Sequence, residues 1–260
     1  MSKILIIAAA SILLIYSRAF ATSLPPQMVY DIQWGNLFLA KSQLEFLPDN
    51  QKLQILATVE GGGVVTFFKK FKSSASAQLT RRDDVWSPQK LSMDRISGSK
   101  NVNSLVEWTP SGELLRHERS PELDLDKVFP LKKPLSGEVI DPYTATLRVL
   151  DISQKTGDCT SDYQIFDGRR HAHLKVTMMG STTLVADRNS AYSGKAIICE
   201  IRLDPLGGHL RDAKWRSEST GPGRIKVFLG QVENNVMLPV RIEVKSWFGT
   251  ITARLNTRAS

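Results

Sequence analysis

Apolar and polar residues alternate along most of this chain with a period of two. Tyr30, Ile32 and Trp34 fall on one face, while Val29, Asp31 and Gln33 fall on the other, the pattern of a half-buried strand. Leu37 and Leu39, then Leu44 and Phe46, predict a returning strand. Leu53, Ile55, Ala57 and Val59 predict the next, which ends at Gly61-Gly62-Gly63, and residues 64–71 begin another. Residues 78–97 read as two strands broken near Asp83-Asp84. Residues 102–108 and 113–118 flank Thr109-Pro110-Ser111-Gly112, with proline and glycine where a turn favours them. In the second half, residues 163–166 and 169–179 form a hairpin about Asp167-Gly168, a strong short-range turn signal. Strands at 182–187, 195–203, 224–229, 237–246 and 250–255 complete the series.

One segment breaks this rhythm. Asp141-Pro142 offers a capping carboxylate followed by proline at the first helical position. Tyr143, Leu147 and Leu150 then recur at helical spacing, and Gly157 stands where a helix stops. A helix over about 142–154 follows. The proline-rich residues 121–134 before it are a loop between two halves whose half-buried strands need a shared core. The expected fold is mainly β: a single curled antiparallel sheet, an open barrel or β-spiral of roughly a dozen strands (P-loop and βαβ patterns being absent) with one main helix.

The N-terminus adds an address. Lys3 precedes an apolar run at residues 4–15, and Ala19-Phe20-Ala21 has the small-x-small form of a signal-peptidase site. The run is shorter than the roughly 20 residues that span a bilayer. We therefore expect a signal peptide, residues 1–21, cleaved after Ala21, and a periplasmic domain, residues 22–260. The formal charge is +8, and removing Lys3 and Arg18 leaves +6, which favours anionic lipid or glycan surfaces. Lys69-Lys70, Arg81-Arg82, Lys132-Lys133 and Arg169-Arg170 stand in isolated pairs. Each suits a solvated strand face, and export removes nucleic acid as a partner. Cys159 and Cys199 are the only cysteines. Outside the cytoplasm such a pair is expected to bond, and neither Cys-x-x-Cys nor zinc-ligand spacing is present.

Several of these segments resemble a known family. Tyr30-Asp31-Ile32-Gln33-Trp34-Gly35, Asp141-Pro142-Tyr143-Thr144-Ala145, Phe166-Asp167-Gly168-Arg169-Arg170, Leu238-Pro239-Val240-Arg241-Ile242 and Phe248-Gly249 are similar, in order and spacing, to the bacterial domain of unknown function 3108. Cys159 and Cys199 bracket the Asp-Gly-Arg-Arg hairpin as they do in such sequences. The resemblance runs from Tyr30 nearly to the C-terminus. It implies a β-rich periplasmic protein and assigns no reaction or catalytic residue. Size, signal peptide and lone disulfide also resemble, in architecture, the β-spiral envelope-integrity proteins of alphaproteobacteria.

Candidate chemistry is sparse. His171 and His173 occupy positions i and i+2 of a strand, so both imidazoles would address one face. A metal site there needs a further ligand from His117, His209, Asp167 or Glu200. Arg169 and Arg170 are candidates for gripping an anion, although alternation along a strand would leave only one facing any pocket. Trp34, Trp86, Trp108, Trp215 and Trp247 are expected to fill the inner face of the sheet, with Trp34 a candidate for binding as well. No Gly-x-Ser-x-Gly, His-Glu-x-x-His or Ser-x-x-Lys motif occurs, and no cofactor is expected. The favoured reading is a non-enzymatic periplasmic protein that supports envelope integrity by binding an envelope component or protein partner. The alternatives are a lipid or amphiphile carrier that uses the curled sheet as a cradle, and a metal-dependent hydrolase centred on His171 and His173.

Overall fold

A computed structural model of the chain describes residues 24–63, 71–122, 124–131, 135, 138–187, 190, 192–211 and 224–256. The expected signal peptide, most of the strand expected at 64–71, the pairs Lys69-Lys70 and Lys132-Lys133, and Trp215 lie outside these residues.

The period-two segments become strands β1 (Gln27–Trp34), β2 (Leu37–Asp49), β3 (Lys52–Gly61), β4 (Phe71–Arg82), β5 (Val85–Ser97), β6 (Lys100–Trp108) and β7 (Leu114–Ser120). The second half supplies β8 (Val139–Ile140), helix α1 (Pro142–Thr156), β9 (Ser161–Phe166), β10 (His171–Leu184), β11 (Gly194–Gly207), β12 (Ile225–Gln231), β13 (Met237–Ser246) and β14 (Gly249–Leu255). All belong to one 14-stranded sheet in the order β7-β6-β5-β4-β3-β2-β1-β14-β13-β12-β11-β10-β9-β8. Every neighbour is antiparallel except β8, which runs parallel to β9.

The first and last strands meet in the middle of this order, with Tyr30 opposite Leu255 and Trp34 opposite Ile251. Both halves therefore curl from one seam, and the free edges β7 and β8 return towards each other. There the indole of Trp108 donates to the Val139 carbonyl at 2.8 Å, and Nε2 of His117 donates to the Gly168 carbonyl at 2.5 Å. The result is a nearly closed curled sheet. Its inward-pointing residues, among them Phe46, Leu53, Ile55, Leu79, Trp86, Leu91 and Val106, form one buried cluster with Leu147 and Leu150 of α1.

The local sequence accounts for α1. The Asp141 carboxylate accepts from the backbone N–H groups of Tyr143 at 2.8 Å and Thr144 at 3.1 Å, satisfying two donors that the first turn leaves open. Thr144 Oγ1 also donates to Asp141. Gly157 ends the helix in the left-handed region, φ 73°, as a C-terminal cap requires.

Antiparallel pairing sends alternate hairpins to opposite ends of the sheet. The β2–β3, β4–β5 and β12–β13 connections lie at the end where α1 packs. Arg148 of α1 donates from Nε to the Trp86 carbonyl near the start of β5, and the Gln154 side chain accepts from the Met237 N–H at the start of β13, each at 2.7 Å. The β1–β2, β5–β6, β9–β10 and β13–β14 connections lie at the other, distal end. The candidate site is there.

Candidate functional site at the distal end

The β9–β10 turn is longer than its Asp-Gly dipeptide suggests. Pairing stops at Phe166↔His171, so Asp167, Gly168, Arg169 and Arg170 all belong to the loop. The two arginines therefore do not alternate along a strand as the sequence pattern implied, and their roles separate. The Asp167 carboxylate accepts from the N–H groups of Arg169 at 3.0 Å and Arg170 at 2.6 Å, and from Arg170 Nε at 2.7 Å. Burial would raise this carboxyl, but the Arg170 charge and these donors outweigh burial and hold it below the usual carboxylate range. Arg170 is thus neutralised and spent on shaping the turn.

Arg169 points elsewhere. With Arg95 near the end of β5 and Arg119 near the end of β7 it lines a cleft of about 30 Å³, whose other walls are Met93, Val102, Ser104, Asp167 and Arg170. The register explains the meeting: Arg95 lies opposite Val102, and Ser104 opposite Arg119. The turn is pressed against these strands because Gly168 offers no side chain. A Cβ there would stand 2.9 Å from Ser104 Oγ and 3.2 Å from Val106 Cγ2. Burial, then the neighbouring Arg170, Arg95 and Arg119 charges, bring the Arg169 guanidinium down to about 10, against the opposing pull of Asp167. Burial and Arg95 likewise lower Arg119. Arg119 Nε is buried without a hydrogen-bond partner. Among the described residues no carboxylate forms an ion pair with Arg95, Arg119 or Arg169. Asp167, in the same cleft, attracts both Arg119 and Arg169, but three half-buried like charges outside any ion pair among these residues still favour the approach of an anion.

Arg119 also opens onto a larger space. A cleft of about 930 Å³ runs between the ends of β6 and β7 and the loop that follows; Leu105, Leu125, Val128, Phe129, Pro130 and Leu131 give it an apolar side, and Arg119, Glu118, Glu122 and His117 are among its polar residues. A second cleft, of about 740 Å³, shares His117 and Leu131 with it and continues along the free edge of β7. Such volumes and linings fall within the range of small-molecule sites. The following loop is fixed against the distal end by hydrogen bonds from Phe129 N to the His209 carbonyl and from Gly208 N to the Phe129 carbonyl, both 2.8 Å.

His171 and His173 share one face of β10, as the spacing predicts, opposite in sense to inward-facing Ala172, Leu174 and Val176; the bulge at this point adds Leu206 on β11 and leaves the pairing of β10 with β9 regular. The two imidazoles have separate partners: His171, buried, bonds to the Gln164 side chain at 3.0 Å, while half-exposed His173 pairs with Asp162. His117 is spent on Gly168, and the described residues hold no group of three His, Cys, Asp or Glu side chains placed for a metal.

Cys159 and Cys199 are bonded, with Cα atoms 6.3 Å apart, and tie the segment after α1 to β11 inside the core. Of the tryptophans, Trp86 and Trp108 are core residues as expected. Trp34 and Trp247 are not: both are exposed at distal hairpin tips, beyond the last buried layer, and Trp34 does not line the arginine cleft. Arg95 and Arg119 carried no signal in the linear sequence, since isolated bases on amphipathic strands read as solvated positions.

Fold and site together describe a β-rich protein built as one nearly closed curled sheet, with a basic cleft at one end. The chain belongs to the family described as protein of unknown function, DUF3108, whose family model matches residues 29–256. By sequence, no curated protein matches it. Among solved structures it is similar to a beta-barrel-like protein of the domain of unknown function DUF1849 from Brucella abortus, with a TM-score of 0.50 and 8% identity over 88% of this chain and 94% of that one. At that identity the likeness is one of fold.

Proposed function

We propose that this protein is a non-enzymatic binding protein of the bacterial periplasm that takes an anionic amphiphile of the cell envelope at its distal end. The observation that carries this reading is the meeting of Arg95, Arg119 and Arg169, none of them in an ion pair among the described residues, with Arg119 also lining a partly apolar cleft of about 930 Å³. An anionic headgroup would satisfy the guanidiniums, and an apolar chain would occupy the cleft. The periplasmic address rests on the apolar run and small-x-small site at the N-terminus, together with a buried disulfide.

Titration calorimetry with dodecyl phosphate, dodecyl maltoside and inorganic phosphate tests the reading. Dodecyl phosphate should bind at least about tenfold more tightly than either of the others, because only it uses both features. An Arg119→Gln, Arg169→Gln double variant should lose that preference while keeping the wild-type unfolding midpoint. Equal affinity for the charged and uncharged detergents, or an unchanged preference in the double variant, overturns the proposal.

A further inference from the structure

We infer that the same end of the molecule carries a membrane-contact tip, built from Trp34, Trp247 and Phe248, which seats the protein on an anionic phospholipid surface. The inference concerns a different group of residues from the arginine cleft and stands on separate observations.

Pairing of β1 with β14 brings the β1–β2 and β13–β14 hairpins side by side. Phe248 is the centre of the cluster that results. Its ring lies edge-on to both indoles, with centroids 5.4 Å from Trp34 and 5.4 Å from Trp247. Trp34 Nε1 donates to the Phe248 carbonyl at 3.1 Å, which locks one hairpin to the other. Gly249 makes the approach possible: its φ is +131°, and a Cβ there would stand 2.7 Å from Trp34 Nε1. The tip is therefore a built feature with fixed rings.

Its exposure is what calls for a partner. Trp247 is 78% exposed, Trp34 42%, Phe248 39% and neighbouring Leu37 37%. Side chains left in water in this way forgo favourable burial of their apolar surface, and contiguous exposed apolar groups of this kind mark interaction sites. Indoles fixed at the end of a rigid body suit the lipid–water interface, where an apolar ring and a polar N–H are both satisfied. The charge nearby has the matching sign. Residues 33–38 and 245–250 contain no carboxylate and include Lys245. The Lys245 N–H donates to the Arg224 carbonyl at 2.8 Å, so a second base adjoins the same hairpin. Bases at that position are attracted to an anionic leaflet. Helix α1 packs at the opposite end, so docking through the tip would turn the distal end towards the headgroups.

The test is co-sedimentation of the signal-free chain with phosphatidylglycerol vesicles and with phosphatidylcholine vesicles, alongside tryptophan emission. Binding should be tighter to phosphatidylglycerol, with a blue shift in emission and quenching by brominated acyl chains. A Trp247→Ala, Phe248→Ala double variant, both positions exposed, should keep the wild-type unfolding midpoint and lose about tenfold or more of the vesicle affinity. The Arg119→Gln, Arg169→Gln variant should still sediment with vesicles, so failure of the cleft and failure of the tip are separable. Absence of vesicle binding by the wild type, or equal binding by the aromatic double variant, overturns the inference. So does a concentration-dependent dimer that this variant abolishes, because the tip would then be covered by a second copy of the chain.

Discussion

Arg81 at the end of β4 and Asp151 on α1 form an ion pair, 3.3 Å between guanidinium nitrogen and carboxylate oxygen, with both side chains largely shielded from water. The Arg81 guanidinium also lies 5.3 Å from the centre of the Trp86 ring, and its Nε is 3.5 Å from the more exposed Asp84. This is the one ionic tie between the helix and the first half of the sheet among the described residues. Burial raises the Asp151 carboxyl, and the attraction of Arg81 and Lys155 only partly offsets it. The pair therefore adds little net stability, yet it is costly to break. Removing one partner strands the other charge beside Trp86. Asp151→Ala should cost about 3–5 kcal/mol, read as a fall in the urea midpoint at constant slope. Combining it with Arg81→Met should restore a large part of that loss. A double variant no better than Asp151→Ala alone would show that the helix depends on this pair for something other than charge balance.

A second prediction concerns how the arginine turn is held. Gly208 has φ +72°, and a Cβ built on it would stand 1.6 Å from the Arg169 carbonyl oxygen, a backbone atom that cannot rotate away. Gly157 supplies an internal control, with nearly the same φ of +73° and nothing within 4 Å of its Cβ position. Gly157→Ala should cost only the backbone strain, about 1–2 kcal/mol. Gly208→Ala should cost about 3 kcal/mol or more, because it must also displace the β9–β10 turn. It should weaken anion binding as well, since Arg169 moves with the turn. Equal unfolding midpoints for the two variants would mean that the turn is not clamped at this point.

The contrast between those glycines marks where the sequence is legible. Period-two alternation made most strands visible, because one face of each is buried: Leu53, Ile55 and Ala57 on β3, for example, face the core in register with Leu79, Ala77 and Ala75 on β4. The helix was legible from Asp141-Pro142 and Gly157, whose chemistry is local. The seam that joins the two halves was not, since there β1 pairs with β14 across more than two hundred residues, and no local rule specifies that pairing. The site was hidden for the same reason. Arg169 announced itself in an Asp-Gly-Arg-Arg run, but Arg95 and Arg119 reach it only through the register of β5, β6 and β7. His171 and His173 do share a face, but the sequence did not show that Gln164 and Asp162 on β9 would each take one of them. Trp34 misled: its parity is that of an inward residue, but its strand runs past the level where the core ends.

The third prediction is a pH dependence. His209 is 2% exposed, and its backbone carbonyl anchors Phe129 in the loop beside the candidate site. Burial first, and the nearby Arg170 charge second, bring its imidazole down to about 4. In the unfolded chain the same group takes up a proton near pH 6.5. Between those values the unfolded state binds the additional proton and the folded state does not, so stability must fall as pH decreases from about 6.5 towards 4. Above that window this residue contributes no slope. Buried His171, also lowered by burial, acts in the same direction. The loss attributable to His209 should be about 1–3 kcal/mol, measured as the difference in urea unfolding free energy between pH 7 and pH 4.5. His209→Gln, which has no proton to gain, should flatten the slope while leaving that of His171. If the variant loses as much stability on acidification as the wild type, His209 is not held neutral by the fold, and the loop that it anchors is more open to water than its burial indicates.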